Sequence, residues 1–263
     1  MTLPNEIIVY VFKENDILGR EERLIRAAQL YCQGISCASG EERVGECIDK
    51  ARFQVEKTPL GKPYFPQARE LHFSISHSGE YWVCAFGPGE VGVDIQEHTM
   101  TRSETRQEAT VRFAKMAHRF FHPVEAEFVA LESFYRFFGV WTARESYVKY
   151  TGQGIDASFS EHCVIPDTKE HWPELTPPLP GPAVSWPAQG VWFWETVFEE
   201  NYTLCVCAES EMPCRVVRLT EEERKGVKEG IKEYEKEKRI KEKKEAAKAA
   251  EAKKEREHGT EVK

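Results

Sequence analysis

Three short segments of the chain supply side chains suited to phosphate and metal chemistry. Ser76 and His77 lie in Phe73-Ser-Ile-Ser-His-Ser78, Asp94 and Gln96 in Gly92-Val-Asp-Ile-Gln96, and Glu145 and Lys149 in Trp141-Thr-Ala-Arg-Glu-Ser-Tyr-Val-Lys149. A hard cation such as Mg²⁺ takes oxygen ligands, keeps several waters and needs only one or two carboxylates when phosphates supply the rest. Asp94 and Glu145 meet that need, and Gln96 offers a neutral carbonyl oxygen two residues along from Asp94. Lys149 adds a cation one helical turn from Glu145, and the hydroxyls around His77 add donors for phosphate oxygens. Together these groups can hold a magnesium pyrophosphate.

Each segment also has a plainer reading. Asp94 alone is a solvated acid at a strand end. Glu145 and Lys149, four residues apart, are a surface ion pair on a helix, worth a few tenths of a kcal/mol. His77 alone is a surface residue at the end of a strand. The chemistry rests on the three occurring together.

The elements that must position them follow from periodicity. Residues 6–13 read as an interior strand, apolar on both faces, and 21–32 as a helix whose apolar side is Leu24, Ala27, Ala28 and Tyr31. Arg20, Arg23 and Arg26 line another side of that helix. Phe53 and Val55 suggest a short strand before the turn Pro59-Leu-Gly-Lys-Pro63. Residues 72–77, 81–86 and 91–96 read as three strands joined by two hairpin-like turns. In that pattern Asp94 and Gln96 face away from Val91, Val93 and Ile95, and Gly92 leaves room for a ligand to approach the backbone. Helices are expected over 102–121, from Pro123 through 125–138, and over 141–150, the last stopped by Gly152. Strands are expected at 159–165, 191–198 and 202–208, with the proline-rich 172–187 an extended surface loop. This order predicts an α+β fold: residues 1–100 and 101–219 as two blocks, then a charged tail over 220–263 that is helical or disordered. In the tail, Val227, Ile231 and Tyr234 are the only apolar groups spaced for docking.

Composition narrows the function classes. Of 263 residues, 41% are hydrophobic, enough for a large core. The net charge of −8 divides into +2 for residues 220–263 (15 Lys/Arg, 13 Glu) and −10 for the rest (21 basic, 31 acidic). An acidic body argues against general nucleic-acid binding. The eight cysteines show no CxxC or zinc-like spacing and read as reduced core thiols. The N-terminus has no signal pattern and no run of about 18 apolar residues occurs, so a cytoplasmic protein without a membrane span is expected.

Five segments in order resemble the Sfp-type 4'-phosphopantetheinyl transferases: Gly61-Lys-Pro63, Phe73-Ser-Ile-Ser-His-Ser-Gly79, Gly92-Val-Asp94, Arg119-Phe-Phe…Glu125, and Trp141 to Lys149. The resemblance implies a pseudo-dimer of two similar α+β halves with the active site in the cleft between them, and a monomer in solution. It implies transfer of the phosphopantetheine arm of coenzyme A to a serine of an acyl- or peptidyl-carrier protein, with Mg²⁺ required. It further implies Asp94, Gln96 and Glu145 as metal ligands and Glu125 as a general base. Lys149 becomes the cation at the pyrophosphate, and Lys62, Ser76 and His77 become coenzyme A contacts. Three departures stand out. Gln96 replaces an acid common in the family, and Arg144 replaces a lysine. The long basic stretch that helps hold the 3'-phosphate is missing, and Arg23 is the substitute best placed among the three helical arginines. A non-catalytic binder of carrier proteins with the same fold is the alternative.

Overall fold

In a computed structural model, residues 3–33, 52–130, 134–154, 160–173 and 182–221 are described, together with 224–226, 228–229, 232, 236, 239–240 and 242–244. Two four-stranded sheets form the centre. The first has the order β10-β1-β5-β4, with β1 Ile7–Lys13, β4 His72–Ser78, β5 Tyr81–Gly87 and β10 Cys214–Arg218. The second has the order β6-β9-β8-β7, with β6 Val91–Glu97, β7 Val184–Ala188, β8 Val191–Phe198 and β9 Tyr202–Ala208. A separate two-stranded ribbon pairs β2 Glu56–Lys57 with β3 Pro63–Tyr64. Helix α1 is Arg20–Gln33, α2 Arg106–Phe120, α3 Pro123–Ala130 and α4 Phe134–Thr151.

The doubly apolar β1 explains the layering. Ile8, Tyr10 and Phe12 pack with α1 residues Leu24, Ile25, Ala28 and Tyr31, while Ile7, Val9 and Val11 pack against Val91, Val93, Ile95, Leu204 and Val206 of the other sheet. The opposite face of that second sheet, through Val191, Phe193, Cys205 and Cys207, meets the aromatic surface of α2–α4. The result is four layers, helix, sheet, sheet and helices, with alternate residues of each central strand committed to different cores. The strand–helix–strand–strand run β1, α1, β4, β5 pairs in the order β1-β5-β4, and the run β6, α2–α4, β8, β9 pairs likewise as β6-β9-β8.

Several expectations change. Residues 78–80 do turn β4 into β5, but 87–90 form no hairpin: β6 crosses to the second sheet and pairs antiparallel with β9, Asp94 opposite Cys205. The chain thus passes from the first sheet to the second at 87–91, and β10 returns to lie parallel to β1 in the first sheet. The helices expected over 125–138 and 141–150 become α3 and one 18-residue helix, α4, which runs through Gly139. Residues 160–165 form no strand; Cys163, Val164 and Ile165 are buried as a loop against the α2–α4 core. The proline-rich stretch contains β7, an edge strand, which is where Pro187 is tolerated because an edge leaves backbone donors unpaired.

Helix ends follow the expected chemistry. Thr105 and Glu108 close a capping box on α2. Gly152, at φ +70, takes the left-handed turn that ends α4, and its N–H bonds the Val148 carbonyl. At the tail's start, Arg224 bonds Asp16 at 2.9 Å and Lys228 bonds Glu22 at 2.8 Å. Val227, Ile231 and Tyr234 lie outside the described residues. The thiols of Cys32, Cys84, Cys163, Cys205, Cys207 and Cys214 are free. No helix among the described residues is long and apolar enough to cross a membrane.

Candidate active site

A cavity of about 960 Å³ opens where the two sheets meet, between α1 on one side and α4 on the other. Ser76 and His77 reach it from β4, Asp94 and Gln96 from β6, and Glu145 and Lys149 from α4, so the three segments singled out by residue type converge on one space. Leu24, Val55, Ile75, Trp82, Ile95 and Trp141 supply apolar wall. Helix α4 lies on β6, and the fourfold spacing of Trp141, Glu145 and Lys149 puts all three on its cavity face.

Asp94 is the centre of the polar wall. Its Oδ1 accepts from Lys149 Nζ at 2.6 Å and from Ser76 Oγ at 2.6 Å. Burial pushes the Asp94 carboxyl above the ordinary carboxylate range, against the opposing pull of Lys149 and Ser76. Glu145 is pushed up as well, first by burial and then by the charge of Asp94, with Lys149 acting against both. Two carboxylates thus face one cavity and repel each other, a condition that a divalent cation relieves. Among the described residues no cluster of three or more His, Cys, Asp or Glu gathers, so the protein offers the hard oxygens of Asp94 and Glu145 with the Gln96 amide beside them. That donor set fits Mg²⁺ completed by phosphate oxygens and water.

The serines of β4 have a role that spacing did not reveal. Strands β4 and β6 are the edges of their sheets, and their backbones do not pair. Instead Ser74 Oγ accepts from Val93 N at 3.1 Å, Ser76 Oγ from Ile95 N at 3.4 Å and Ser78 Oγ from Glu97 N at 2.9 Å. The hydroxyls expected to donate to phosphate are here the seam between the sheets, satisfying edge N–H groups that burial would otherwise orphan. Ser76 donates its proton to Asp94; His77 projects exposed into the cavity.

Several of the cavity's polar residues lie in a segment that matches a known family. A model of the 4'-phosphopantetheinyl transferase superfamily matches residues 90–207, which hold Asp94, Gln96, Glu145 and Lys149. Over those residues the chain is similar to that superfamily. The chain is 34% identical over 113 residues to a 4'-phosphopantetheinyl transferase of Bacillus subtilis, covering 41% of this chain and 45% of that protein. It is 37% identical over 105 residues to the 4'-phosphopantetheinyl transferase gsp of Aneurinibacillus migulanus, 38% of each chain. To the 4'-phosphopantetheinyl transferase Sfp of Bacillus subtilis (strain 168) it is 30% identical over 112 residues, 41% of this chain and 45% of that one. The chain thus spans less than half the length of the curated relatives it matches.

Not every residue carried over from these phosphopantetheinyl transferases reaches the cavity. Glu125 is fully buried and does not line it. Its Oε2 pairs with the Arg144 guanidinium and accepts from His122 N at 3.0 Å; its Oε1 accepts from Val164 N at 2.8 Å. Arg144, also buried, bonds the His162 carbonyl at 2.7 Å. Because α4 advances about 100° per residue, Glu145 faces the cavity while Arg144 faces the α3 core. The expected general base is therefore a bolt joining α3, α4 and the 160–165 loop, and Arg144 is its partner.

Lys62 lies apart from the main cavity, beside a second groove of about 380 Å³ with Lys57, Arg69, His72 and Glu90, and bonds Glu90 and the Tyr150 carbonyl. Arg23 is buried rather than wet. It bonds the Leu18 carbonyl at 2.8 Å, the Glu14 carbonyl at 2.8 Å and the Glu14 carboxylate, over the Trp82 ring; Arg20 is the arginine of that helix lining the cavity. Gly92 admits a helix and not a ligand: a Cβ there would stand 1.9 Å from the Ser146 carbonyl oxygen of α4. Glu21, Gln54 and Glu56 line the cavity unforeseen, because nothing in their local pattern signals the contact that folding creates.

Proposed function

We propose that this chain is a 4'-phosphopantetheinyl transferase. It moves the phosphopantetheine arm of coenzyme A onto a serine hydroxyl of an apo acyl- or peptidyl-carrier protein and releases adenosine 3',5'-bisphosphate. The observation that carries this reading is the convergence of Asp94, Glu145 and Lys149 on one cavity wall inside the matched region. The repeated strand order of the two sheets supports a pseudo-dimer of α+β halves with the site between them.

Asp94 and Glu145 would hold Mg²⁺, with Gln96 beside them, and the ion would neutralise charge on the phosphates. The residues themselves bind and orient: Lys149, already on Asp94 Oδ1, supplies positive charge where the leaving phosphate develops negative charge. The apolar wall of Trp82, Ile75 and Trp141 excludes water that would compete with the serine hydroxyl. Glu125 takes no part in the proton transfer in this reading, being enclosed and tied to Arg144. Phosphoryl transfer of this kind rests on positioning and charge, which the cavity supplies.

Coenzyme A labelled in its pantetheine arm tests the proposal. With Mg²⁺ and an apo carrier protein, the label should move to the carrier and adenosine 3',5'-bisphosphate should appear in equal amount, both lost in Glu145→Ala. Binding of the carrier without transfer would instead identify a non-catalytic relative.

A further inference from the structure

We propose that Ser76 is a positioning residue for Asp94, its hydroxyl standing at that place on β4 to hold the carboxylate. The inference rests on the metal-binding reading of Asp94 given above. Three serines alternate along the strand, and all three accept a backbone N–H from β6. Only Ser76 also donates to an acid, at 2.6 Å to Asp94 Oδ1. Its own N–H contact is the longest of the three, 3.4 Å against 3.1 and 2.9 Å, so its hydroxyl is oriented more to the carboxylate than to the seam.

The geometry gives the bond a specific consequence. Both side-chain donors to Asp94, Ser76 Oγ and Lys149 Nζ, fall on the same oxygen, Oδ1. They approach from opposite elements, β4 and α4, and fix the carboxylate plane between them. Asp94 itself lines the cavity, so this clamp sets how its carboxylate meets a ligand there. Lys149 is a long side chain with roughly 28% of its surface exposed, while Ser76 is a short one, 7% exposed, with its position set by the strand. The rigid half of the clamp is therefore Ser76. A residue that orients a ligand without touching the ion acts through the ligand's geometry, and its loss weakens binding without removing a ligand.

Ser74 provides the internal control. It is buried, sits two residues away on the same face of the same strand, and accepts from β6 in the same way, but it holds no acid. Ser74→Ala therefore costs the seam at least as much as Ser76→Ala does and leaves the Ser76–Asp94 bond in place.

The test measures Mn²⁺ binding to the full chain by electron paramagnetic resonance, with coenzyme A present, alongside thermal melting. Ser76→Ala should weaken Mn²⁺ binding about tenfold, the scale set by one hydrogen bond to a charged group. Ser76→Thr, which keeps the hydroxyl, should restore it to within about threefold of wild type on the same scale, and Ser74→Ala should leave it unchanged. Should Ser76→Ala fail to fold, Ser76→Thr against Ser76→Val decides, since both are β-branched and nearly equal in volume. Equal Mn²⁺ affinity in the hydroxyl-bearing and hydroxyl-free variants would overturn the positioning role. So would an equal loss in Ser74→Ala. A wild type that binds Mn²⁺ with this Ser76 dependence yet transfers nothing would sink the transferase reading and leave the positioning role standing. No Mn²⁺ binding by wild type would overturn the metal assignment itself.

Discussion

Glu195 gives the sharpest physical prediction, because it is a carboxylic acid in a place that will not tolerate its charge. It lies on β8, 6% exposed, on the face that meets α4, and its Oε2 has no hydrogen-bond partner among the described residues. Register places it in one row with Cys205 and Asp94, Glu195 opposite Cys205 and Cys205 opposite Asp94. Burial alone pushes its pKa from 4.5 to about 8. In the unfolded chain the group ionises near its ordinary value; in the folded chain it keeps its proton until about pH 8. Between those limits the folded state binds more protons, so stability is complete below about pH 4.5 and falls as pH rises toward 8. At about 1.4 kcal/mol per pH unit, the span corresponds to at most about 5 kcal/mol, less whatever water penetration relieves. Glu195→Gln removes the titration. The amide costs about 1–3 kcal/mol for an unsatisfied group at every pH, so the diagnostic is the slope and not the level. Urea unfolding followed by tryptophan fluorescence at pH 5, 6.5 and 8 should show wild type losing stability relative to Glu195→Gln by several kcal/mol across the series. Parallel pH profiles would refute the reasoning. The neutral acid has a functional sense too: ionised, it would place a third negative charge behind Asp94 and Glu145.

Two other substitutions probe the scaffold around the site. Arg144→Met strands the enclosed Glu125 carboxylate without its partner and should destabilise by about 3–5 kcal/mol; Glu125→Gln, which keeps the shape but only one of two acceptor oxygens and leaves Arg144 uncompensated, should destabilise too, while its folded fraction transfers near the wild-type rate, and a large loss of kcat in well-folded Glu125→Gln would restore the general-base role. Gly92→Ala forces a methyl onto the Ser146 carbonyl of α4, so circular dichroism melts should fall sharply and activity with them, while an unchanged melt would show that α4 does not press on β6 as described.

How much of this was legible depended on whether a residue's role was local. The strands β1, β4, β5, β8 and β9 and helix α1 announced themselves because alternation and helical spacing are properties of the segment itself. The polar wall was legible for the same reason: Asp94 alternates with Val93 and Ile95, and Glu145 and Lys149 share a helical face. Partners were not legible. The crossing of β6 to the second sheet depends on β9, more than a hundred residues later, and the turn at 87–90 looks like a hairpin in isolation. Ser76 and Ser78 read as phosphate donors until an edge strand arrives to use them. Glu125 and Arg144 are an acid and a base nineteen positions apart, and only folding decides that they meet each other and not the cavity. Arg23 followed the same course, its wet-face spacing overridden by Glu14 and the Leu18 carbonyl. The strand at 159–165 failed differently: its apolar residues Cys163, Val164 and Ile165 are buried as expected, but their backbone is held by side chains such as Glu125 in place of a neighbouring strand.

The central claim is that Asp94 and Glu145 would hold the Mg²⁺ that neutralises a coenzyme A pyrophosphate while a carrier serine attacks the pantetheine-bearing phosphorus and adenosine 3',5'-bisphosphate leaves. Mass spectrometry of an apo carrier protein incubated with the full chain, coenzyme A and Mg²⁺ addresses it directly. The account predicts a carrier heavier by one phosphopantetheine arm, with the rate reduced about a hundredfold or more in Asp94→Ala, since a lost charged ligand removes several kcal/mol of stabilisation. A carrier that stays unmodified here while an established transferase loads it, or an Asp94→Ala variant as fast as wild type, would contradict it.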